Sequence, residues 1–189
     1  MAYLPVGLSL KGKSILLVGG GEIAYFKYDK IVQFDPEKLV VVAKEFNSKY
    51  FNINDCQFQL KQKAFDESDL IGVDYVIVAI EDQIIQREIY QICRSKKILC
   101  NCVDLIDCCD FIFTAFVKKD DIVISINTNG KVPGLSAVLK DHLEEKLPKN
   151  LKEIFDELVH LRSSLTPGKE RMNIIRNKAK ELMQIGDLK

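Results

Sequence analysis

A glycine-rich turn within residues 16–24 has the residue types and spacing that point most directly to chemistry. The stretch reads Leu-Leu-Val-Gly-Gly-Gly-Glu-Ile-Ala, so an apolar strand ends in three glycines and a helix begins at once. Gly19 allows a tight turn, Gly21 leaves room for a pyrophosphate against the backbone, and Ala24 lets the helix pack close to the strand. The pattern Gly-x-Gly-x-x-Ala therefore predicts a dinucleotide-binding turn that includes Gly20. The alternative is a tight strand-to-helix turn without a ligand.

The elements that position this turn follow an alternating pattern in the first half of the chain. The sequence predicts five β-α units, because short β-branched or apolar runs alternate with segments of helical periodicity. The predicted strands cover residues 14–18, 39–43, 58–60, 75–79 and 98–101, and the two clearest helices cover residues 22–34 and 83–94. Apolar residues of the first helix (Ile23, Phe26, Ile31 and Phe34) are expected to share one face. This order predicts an α/β fold with a Rossmann-type parallel sheet over residues 1–112.

The pattern changes in the second half of the chain. Residues 111–117 and 122–126 read as two strands of a hairpin, and a helix follows from Pro133 to about residue 146. Two further amphipathic helices are expected over residues 151–165 and 169–183. We therefore expect a small α+β region over residues 113–147 and a helical C-terminal domain over residues 148–189.

Composition limits the classes of partner. Lys plus Arg and Asp plus Glu are equal at 27 each, so no basic excess suggests a nucleic-acid or membrane partner. No apolar run is long enough to span a membrane, and the N-terminus carries no secretory pattern. The six cysteines lack the spacing of a disulfide framework, which favours a reduced, cytoplasmic chain.

Several segments in fixed order indicate a family. They are residues 3–6, 10–13, 18–24 with Lys27, 101–104 (Asn-Cys-Val-Asp), 110–113 (Asp-Phe-Ile-Phe) and 129–135 (Asn-Gly-Lys-Val-Pro-Gly-Leu). Together they resemble the precorrin-2 dehydrogenase / sirohydrochlorin ferrochelatase family, the module also found at the N-terminus of siroheme synthases. The resemblance implies NAD-dependent oxidation of precorrin-2 to sirohydrochlorin. It leaves open whether ferrous iron is then inserted, and it implies a homodimer whose middle region, residues 113–147, serves dimerisation.

The resemblance assigns the family's functional aspartate to Asp104. This residue follows the fifth predicted strand, and ligands of open parallel sheets bind at that edge. A carboxylate there could accept the proton lost on dehydrogenation or the pyrrole protons lost on metal insertion. A turn or helix cap is the alternative role for Asp104.

The cofactor contacts expected by resemblance extend beyond the glycines. They are Glu22 and Ile23 at the helix start, Lys44 and Glu45 after the second strand, and Ala79 after the fourth. Glu45 is the candidate acid for the ribose hydroxyls, whereas Lys44 could instead favour a 2′-phosphate, so NAD rather than NADP rests on the resemblance. The family usually has threonine or asparagine where this chain has Ile80.

The segment expected near the substrate is the polar loop before Pro133. Its residues Thr128, Asn129, Gly130 and Lys131 precede a helix N-terminus, which together with a lysine suits the eight carboxylates of precorrin-2. Family members usually have serine where this chain has Val132. The alternative is an ordinary polar loop that caps a helix.

No metal site is predicted. Cys100, Cys102, Cys108 and Cys109 cluster in sequence but form no Cys-x-x-Cys pair, and buried cysteines are common. Two other functions stay open: a dinucleotide-sensing regulatory module without catalysis, and a chelatase that has lost the redox step.

Overall fold

The computed structural model describes residues 3–53 and 57–184. The chain divides into two compact units, Met1–Phe113 and Thr114–Lys189. Cys56, one of the six cysteines, lies outside the described residues. Among the described residues, no helix is both long and apolar enough to cross a bilayer.

The first unit is built on a five-stranded parallel sheet. Its strands are β1 (Ser14–Val18), β2 (Lys38–Ala43), β3 (Phe58–Gln62), β4 (Tyr75–Val78) and β5 (Leu99–Cys102). Their spatial order is β3-β2-β1-β4-β5, and every adjacent pair is parallel. The predicted Rossmann-type α/β fold is confirmed. The chain runs outward from β1 to β3 and then returns to β4 on the other side of β1, so a crevice is expected between the carboxyl ends of β1 and β4.

The prediction of five full β-α units was wrong, because not every strand of the sheet is followed by an α-helix. Two α-helices cover the sheet, α1 (Glu22–Val32) and α2 (Gln83–Ser95). Between β2 and β4 the only helices in the described chain are the short 3₁₀ helices Ser48–Asn52 and Glu67–Leu70, which flank β3. The edge strand β3 is half exposed, so this part of the sheet buries less apolar surface and needs less helical cover.

The prediction of which α1 residues are buried was also wrong in part. Ile31 is buried as expected, but Ile23 and Phe26 are 53% and 65% exposed. The helix instead buries Ala24 and Tyr28 against the sheet. A tyrosine ring buries as much apolar surface as a phenylalanine while keeping a polar tip, so the choice of face depends on which neighbours the rings meet.

The second unit contains a hairpin and three helices. Strands β6 (Ala115–Lys119) and β7 (Ile122–Ile126) are antiparallel, as predicted, although β6 begins later than residue 111. The helices are α3 (Pro133–Lys146), α4 (Leu151–Ser164) and α5 (Lys169–Leu182). The division of this half into a dimerisation region over residues 113–147 and a C-terminal domain over residues 148–189 stays a prediction.

Candidate functional site

The glycine turn after β1 is held by close backbone contacts on two sides. Gly19 has a φ of 122°, and a Cβ at this position would lie 2.1 Å from the Ala79 carbonyl oxygen. A Cβ at Gly20 would lie 2.2 Å from the Glu45 carbonyl oxygen. The turn is also anchored by backbone hydrogen bonds, in which Gly19 N–H donates to Val42 and the Asn47 N–H donates to Gly20. The first two glycines are therefore required by the packing of the protein itself.

Gly21 differs from the other two glycines because nothing fills the space beside it. A Cβ at Gly21 would meet no atom within 4 Å, and the residue has an ordinary φ of −78°. Gly21 occupies the N-cap position of α1, where no side chain caps the first turn. The N–H groups of that turn have no intrahelical acceptors and carry the positive end of the helix dipole. Open space next to uncapped N–H groups fits the pyrophosphate of a dinucleotide.

The loop after β2 lies against the glycine turn and contains residues that the sequence analysis missed. Glu22, at the start of α1, accepts hydrogen bonds from the side chains of Asn47 and Lys49. The hydrogen bond from Lys49 is the largest cause that lowers the pKa of Glu22, and the hydrogen bond from Asn47 acts in the same direction. Only the position of Asn47 and Lys49 shortly after a buried strand could have indicated this role.

Lys44 and Glu45 come directly after β2 and are both exposed. The Lys44 carbonyl accepts a hydrogen bond of 3.2 Å from the Gln62 side chain, which holds the backbone at this point. Their side chains form no hydrogen bond or ion pair with the described residues. Both are therefore free to meet a ligand at the carboxyl edge of the sheet.

The end of β4 supplies the opposite side of the crevice. The Ala79 N–H donates to the Val18 carbonyl at 2.8 Å, so the two strands stay paired up to the turn. The next carbonyl, of Ile80, accepts a hydrogen bond of 2.6 Å from Gln86, a buried side chain of α2. This bond holds the backbone just after β4.

Asp104 follows β5 at the same edge of the sheet. Its φ of 63° places the residue in the left-handed region, and its side chain is exposed. Within the described chain no hydrogen bond or ion pair engages this carboxylate, and Leu105, not Asp104, is the N-cap of the following 3₁₀ helix. A capping role therefore has no support in the contacts, whereas a strained, exposed and unpaired carboxylate suits chemistry on a ligand.

The structure brings one group of predicted site residues together and leaves another group separate. The carboxyl edge of the sheet carries Gly19, Gly20, Gly21, Glu22, Ile23, Lys44, Glu45, Ala79 and Asp104. The predicted substrate segment belongs to the second unit and is described by itself.

The substrate segment forms a compact turn before α3. The Thr128 hydroxyl lies 3.1 Å from the Ser136 hydroxyl and accepts a long bond of 3.4 Å from the Val132 N–H. Asn129 and Gly130 both have positive φ angles, 53° and 72°. Lys131 is exposed, and no side chain caps the start of α3, whose N-cap is Val132.

The five cysteines that the structure describes lie in the core. Cys93, Cys100, Cys102, Cys108 and Cys109 are buried free thiols. Burial raises the pKa of Cys109 to about 11, which keeps this thiol protonated at neutral pH. Within the described residues no three His, Cys, Asp or Glu side chains are arranged to hold a metal ion.

The sheet order, the glycine turn and the uncapped helix start define the class: a dinucleotide-binding α/β protein. A family model described as putative NAD(P)-binding matches residues 6–115. The chain belongs to this NAD(P)-binding family.

Three individual proteins are similar to this chain. A siroheme synthase of Actinobacillus pleuropneumoniae is 30% identical over 165 residues, which cover 87% of this chain and 34% of that protein. The siroheme biosynthesis protein met8 of Schizosaccharomyces pombe is 32% identical over 140 residues, which cover 72% of this chain and 53% of that protein. A solved structure titled SirC, precorrin-2 dehydrogenase has a TM-score of 0.68 and 25% identity, and the match covers 98% of this chain and 90% of the other. The chain spans about a third of the length of the siroheme synthase.

Proposed function

We propose that this protein is a dehydrogenase that oxidises precorrin-2 to sirohydrochlorin with NAD⁺, in siroheme biosynthesis. The observation that carries the proposal is the pairing of two features at one sheet edge. An uncapped helix start with open space at Gly21 can hold a dinucleotide, and Asp104 offers an unpaired carboxylate two strands away. The likeness to siroheme synthases and to a precorrin-2 dehydrogenase supports the choice of substrate.

The proposed roles follow from these positions. Gly21 and the N–H groups of Glu22 and Ile23 would hold the pyrophosphate, and Gly19 and Gly20 would shape the turn that presents them. When bound, the nicotinamide supplies an acceptor for the hydride. The Asp104 carboxylate takes the proton that the tetrapyrrole loses at the same time, so one substrate molecule yields one NADH and one proton.

We propose NAD⁺ rather than NADP⁺ as the oxidant. Glu45 provides an exposed, unpaired acid just after β2, where an acid in Rossmann folds bonds the ribose hydroxyls and repels a 2′-phosphate. The neighbouring Lys44 is the residue that argues for the opposite choice. A ratio of kcat/KM values above about tenfold in favour of NAD⁺ supports this choice of oxidant, and a ratio that favours NADP⁺ contradicts it.

The second unit supports the proposal of a homodimer that binds the substrate with Thr128, Asn129, Gly130 and Lys131. Three apolar side chains of α3 lie at helical spacing and are exposed: Leu135 by 49%, Val138 by 65% and Leu139 by 40%. Such a stripe on one face of a helix is typical of a surface that another chain covers. We propose that a second copy of this chain covers it, and that the protein acts in the cytoplasm, where its buried thiols stay reduced.

The test is an anaerobic reaction of the purified protein with precorrin-2 and NAD⁺, followed by the absorbance of sirohydrochlorin. Formation of sirohydrochlorin only when NAD⁺ is present supports the proposal. Adding ferrous iron to sirohydrochlorin in the same preparation tests iron insertion separately. Iron insertion without dehydrogenation would indicate a chelatase, and neither product would indicate a dinucleotide-sensing module.

A further inference from the structure

Lys27 lies close to the proposed reaction centre and has no role in the site as described so far. It is on the second turn of α1, three residues after Ala24. Side chains of a helix tilt towards its N-terminus, so Lys27 extends back towards the glycine turn. It lines a depression of about 260 Å³ together with Glu22, Ile23 and Phe26. The Lys27 side chain therefore borders an open space beside the start of α1, where the cofactor is expected.

The surroundings of the Lys27 ammonium are partly apolar. The residue is half-buried, and its Nζ lies 4.4 Å from the centre of the Phe113 ring. Burial is the main cause that lowers the pKa of Lys27, to about 8, and the charge of Lys30 lowers it further. Asp104 and Cys109 are near enough to act in the opposite direction, but their effect is too small to restore the ordinary value.

No counter-charge compensates for this burial within residues 3–53 and 57–184. Lys27 forms no ion pair with these residues, and the one direct contact of its ammonium group among them is with the aromatic ring of Phe113. A desolvated cation without a paired anion lowers stability. The chain thus holds a cation beside the site at a cost to folding, which is typical of residues kept for binding.

Lys27 lies on a different part of α1 from the N-terminal N–H groups, which are expected to bind the pyrophosphate. One side of α1 carries Tyr25 and Tyr28, whose rings pack on Tyr50 and Phe58 near the edge strand β3. Lys27 lies on the other side of α1, where its Nζ meets the Phe113 ring, and the charge of Asp104, which follows β5, acts on the pKa of Lys27. In Rossmann folds the pyrophosphate lies at the helix N-terminus and the ligand crosses the crevice between β1 and β4. Lys27 and Asp104 therefore lie on the same side of that crevice.

We propose that Lys27 binds the substrate by pairing with one of its carboxylates, next to Asp104. This inference rests on the proposed function, which supplies a substrate with several carboxylates. The Asp104 carboxylate repels such a substrate, and a cation beside it offsets the repulsion. Lys27 would thereby fix which face of the tetrapyrrole meets Asp104.

The experiment compares Lys27→Met and Lys27→Arg with the wild type, and Lys30→Met is the matched control from the same helix. Three quantities are measured: the Kd of NAD⁺, the Kd of sirohydrochlorin by absorbance titration, and the KM of precorrin-2. Loss of one charge-assisted bond predicts that Lys27→Met weakens sirohydrochlorin binding and raises the KM by about ten- to hundredfold. The Kd of NAD⁺ is expected to change by less than about threefold. Lys27→Arg should recover most of the loss. Lys30→Met should keep the wild-type affinities below pH 8, although loss of the Lys30 charge raises the pKa of Lys27.

The pH profile gives a readout that a purely structural role would not alter. Because the free protein has a Lys27 pKa of about 8, the wild-type kcat/KM should fall as the pH rises through that value. Lys27→Arg should not show this fall, because a guanidinium keeps its charge.

Two results would overturn the assignment. Unchanged sirohydrochlorin binding in Lys27→Met shows that Lys27 does not hold the substrate. An equal loss of NAD⁺ affinity and tetrapyrrole affinity shows that its partner is the pyrophosphate. A wild-type protein that binds no tetrapyrrole refutes the proposed function and this assignment together, whereas wild-type binding that survives in Lys27→Met refutes this assignment alone.

Discussion

Gly21→Ala should weaken dinucleotide binding without unfolding the protein. The backbone of Gly21 has φ −78° and ψ −170°, which alanine adopts without strain, and the new Cβ meets no protein atom within 4 Å. Alanine restricts the unfolded chain, which favours folding by about 0.4–1 kcal/mol. Alanine is also a poorer N-cap residue than glycine, which acts in the opposite direction. We therefore expect the free energy of unfolding to change by less than about 1 kcal/mol.

The same methyl group occupies the space that the pyrophosphate needs. If it displaces the pyrophosphate from one N–H group of the α1 start, a charge-assisted hydrogen bond of about 1.5–3 kcal/mol is lost. This loss corresponds to a Kd for NAD⁺ that is about ten- to hundredfold higher.

The assay combines thermal unfolding with calorimetric titration of NAD⁺, and two glycines serve as controls. Gly7→Ala also adds its Cβ in open space, at an exposed position outside the turn, and should leave both quantities unchanged. Gly20→Ala forces a Cβ to within 2.2 Å of the Glu45 carbonyl oxygen and should destabilise the fold. A Kd for Gly21→Ala within twofold of the wild type would refute the placement of the pyrophosphate.

Three further predictions concern other residues. Asp104→Asn keeps the shape but loses the proton acceptor, so turnover should fall by about 10²-fold or more with an unchanged Kd for NAD⁺; turnover near the wild-type rate would contradict the assignment. The folded-state pKa of Lys27 is about 8, below its ordinary value of 10.5. Between pH 8 and pH 10.5 the unfolded chain therefore binds more protons than the folded chain, so the free energy of unfolding of the wild type should rise with pH across that range. Lys27→Met should remove this rise and stabilise the protein at pH 7 by about 2 kcal/mol after allowance for partial exposure, as chemical denaturation at several pH values would show. Val138→Glu places a charge on the exposed stripe of α3 and should shift the proposed dimer towards monomer in sedimentation experiments; an unchanged mass would exclude this face as the interface.

The parts of the fold that local sequence specifies were predictable. The strand β1 and the glycine turn were predictable because an apolar run that ends in Gly-x-Gly-x-x-Ala is a local signal. The contacts that require Gly19 and Gly20, with the carbonyl oxygens of Ala79 and Glu45, come from distant segments and were visible only in the structure. The alternation of strands and helices then placed Asp104 at the same sheet edge.

Other features depend on contacts between distant segments and were not predictable. The buried face of α1 was misjudged because Tyr28 meets the rings of Tyr50 and Phe58, which lie beyond the next strand. The surroundings of Lys27 depend on Phe113, at the far end of the first unit. Periodicity within one helix contains neither of these partners.

The ratio of NADH to sirohydrochlorin formed in one anaerobic reaction tests the central claim most directly. Both products absorb light and can be followed in the same cuvette as precorrin-2 is consumed. Hydride transfer from the tetrapyrrole to a nicotinamide held at the glycine turn predicts one NADH for each sirohydrochlorin at every time point, and formation of both products about 10²-fold or more slower in Asp104→Asn. Sirohydrochlorin that accumulates without an equal amount of NADH would contradict the account.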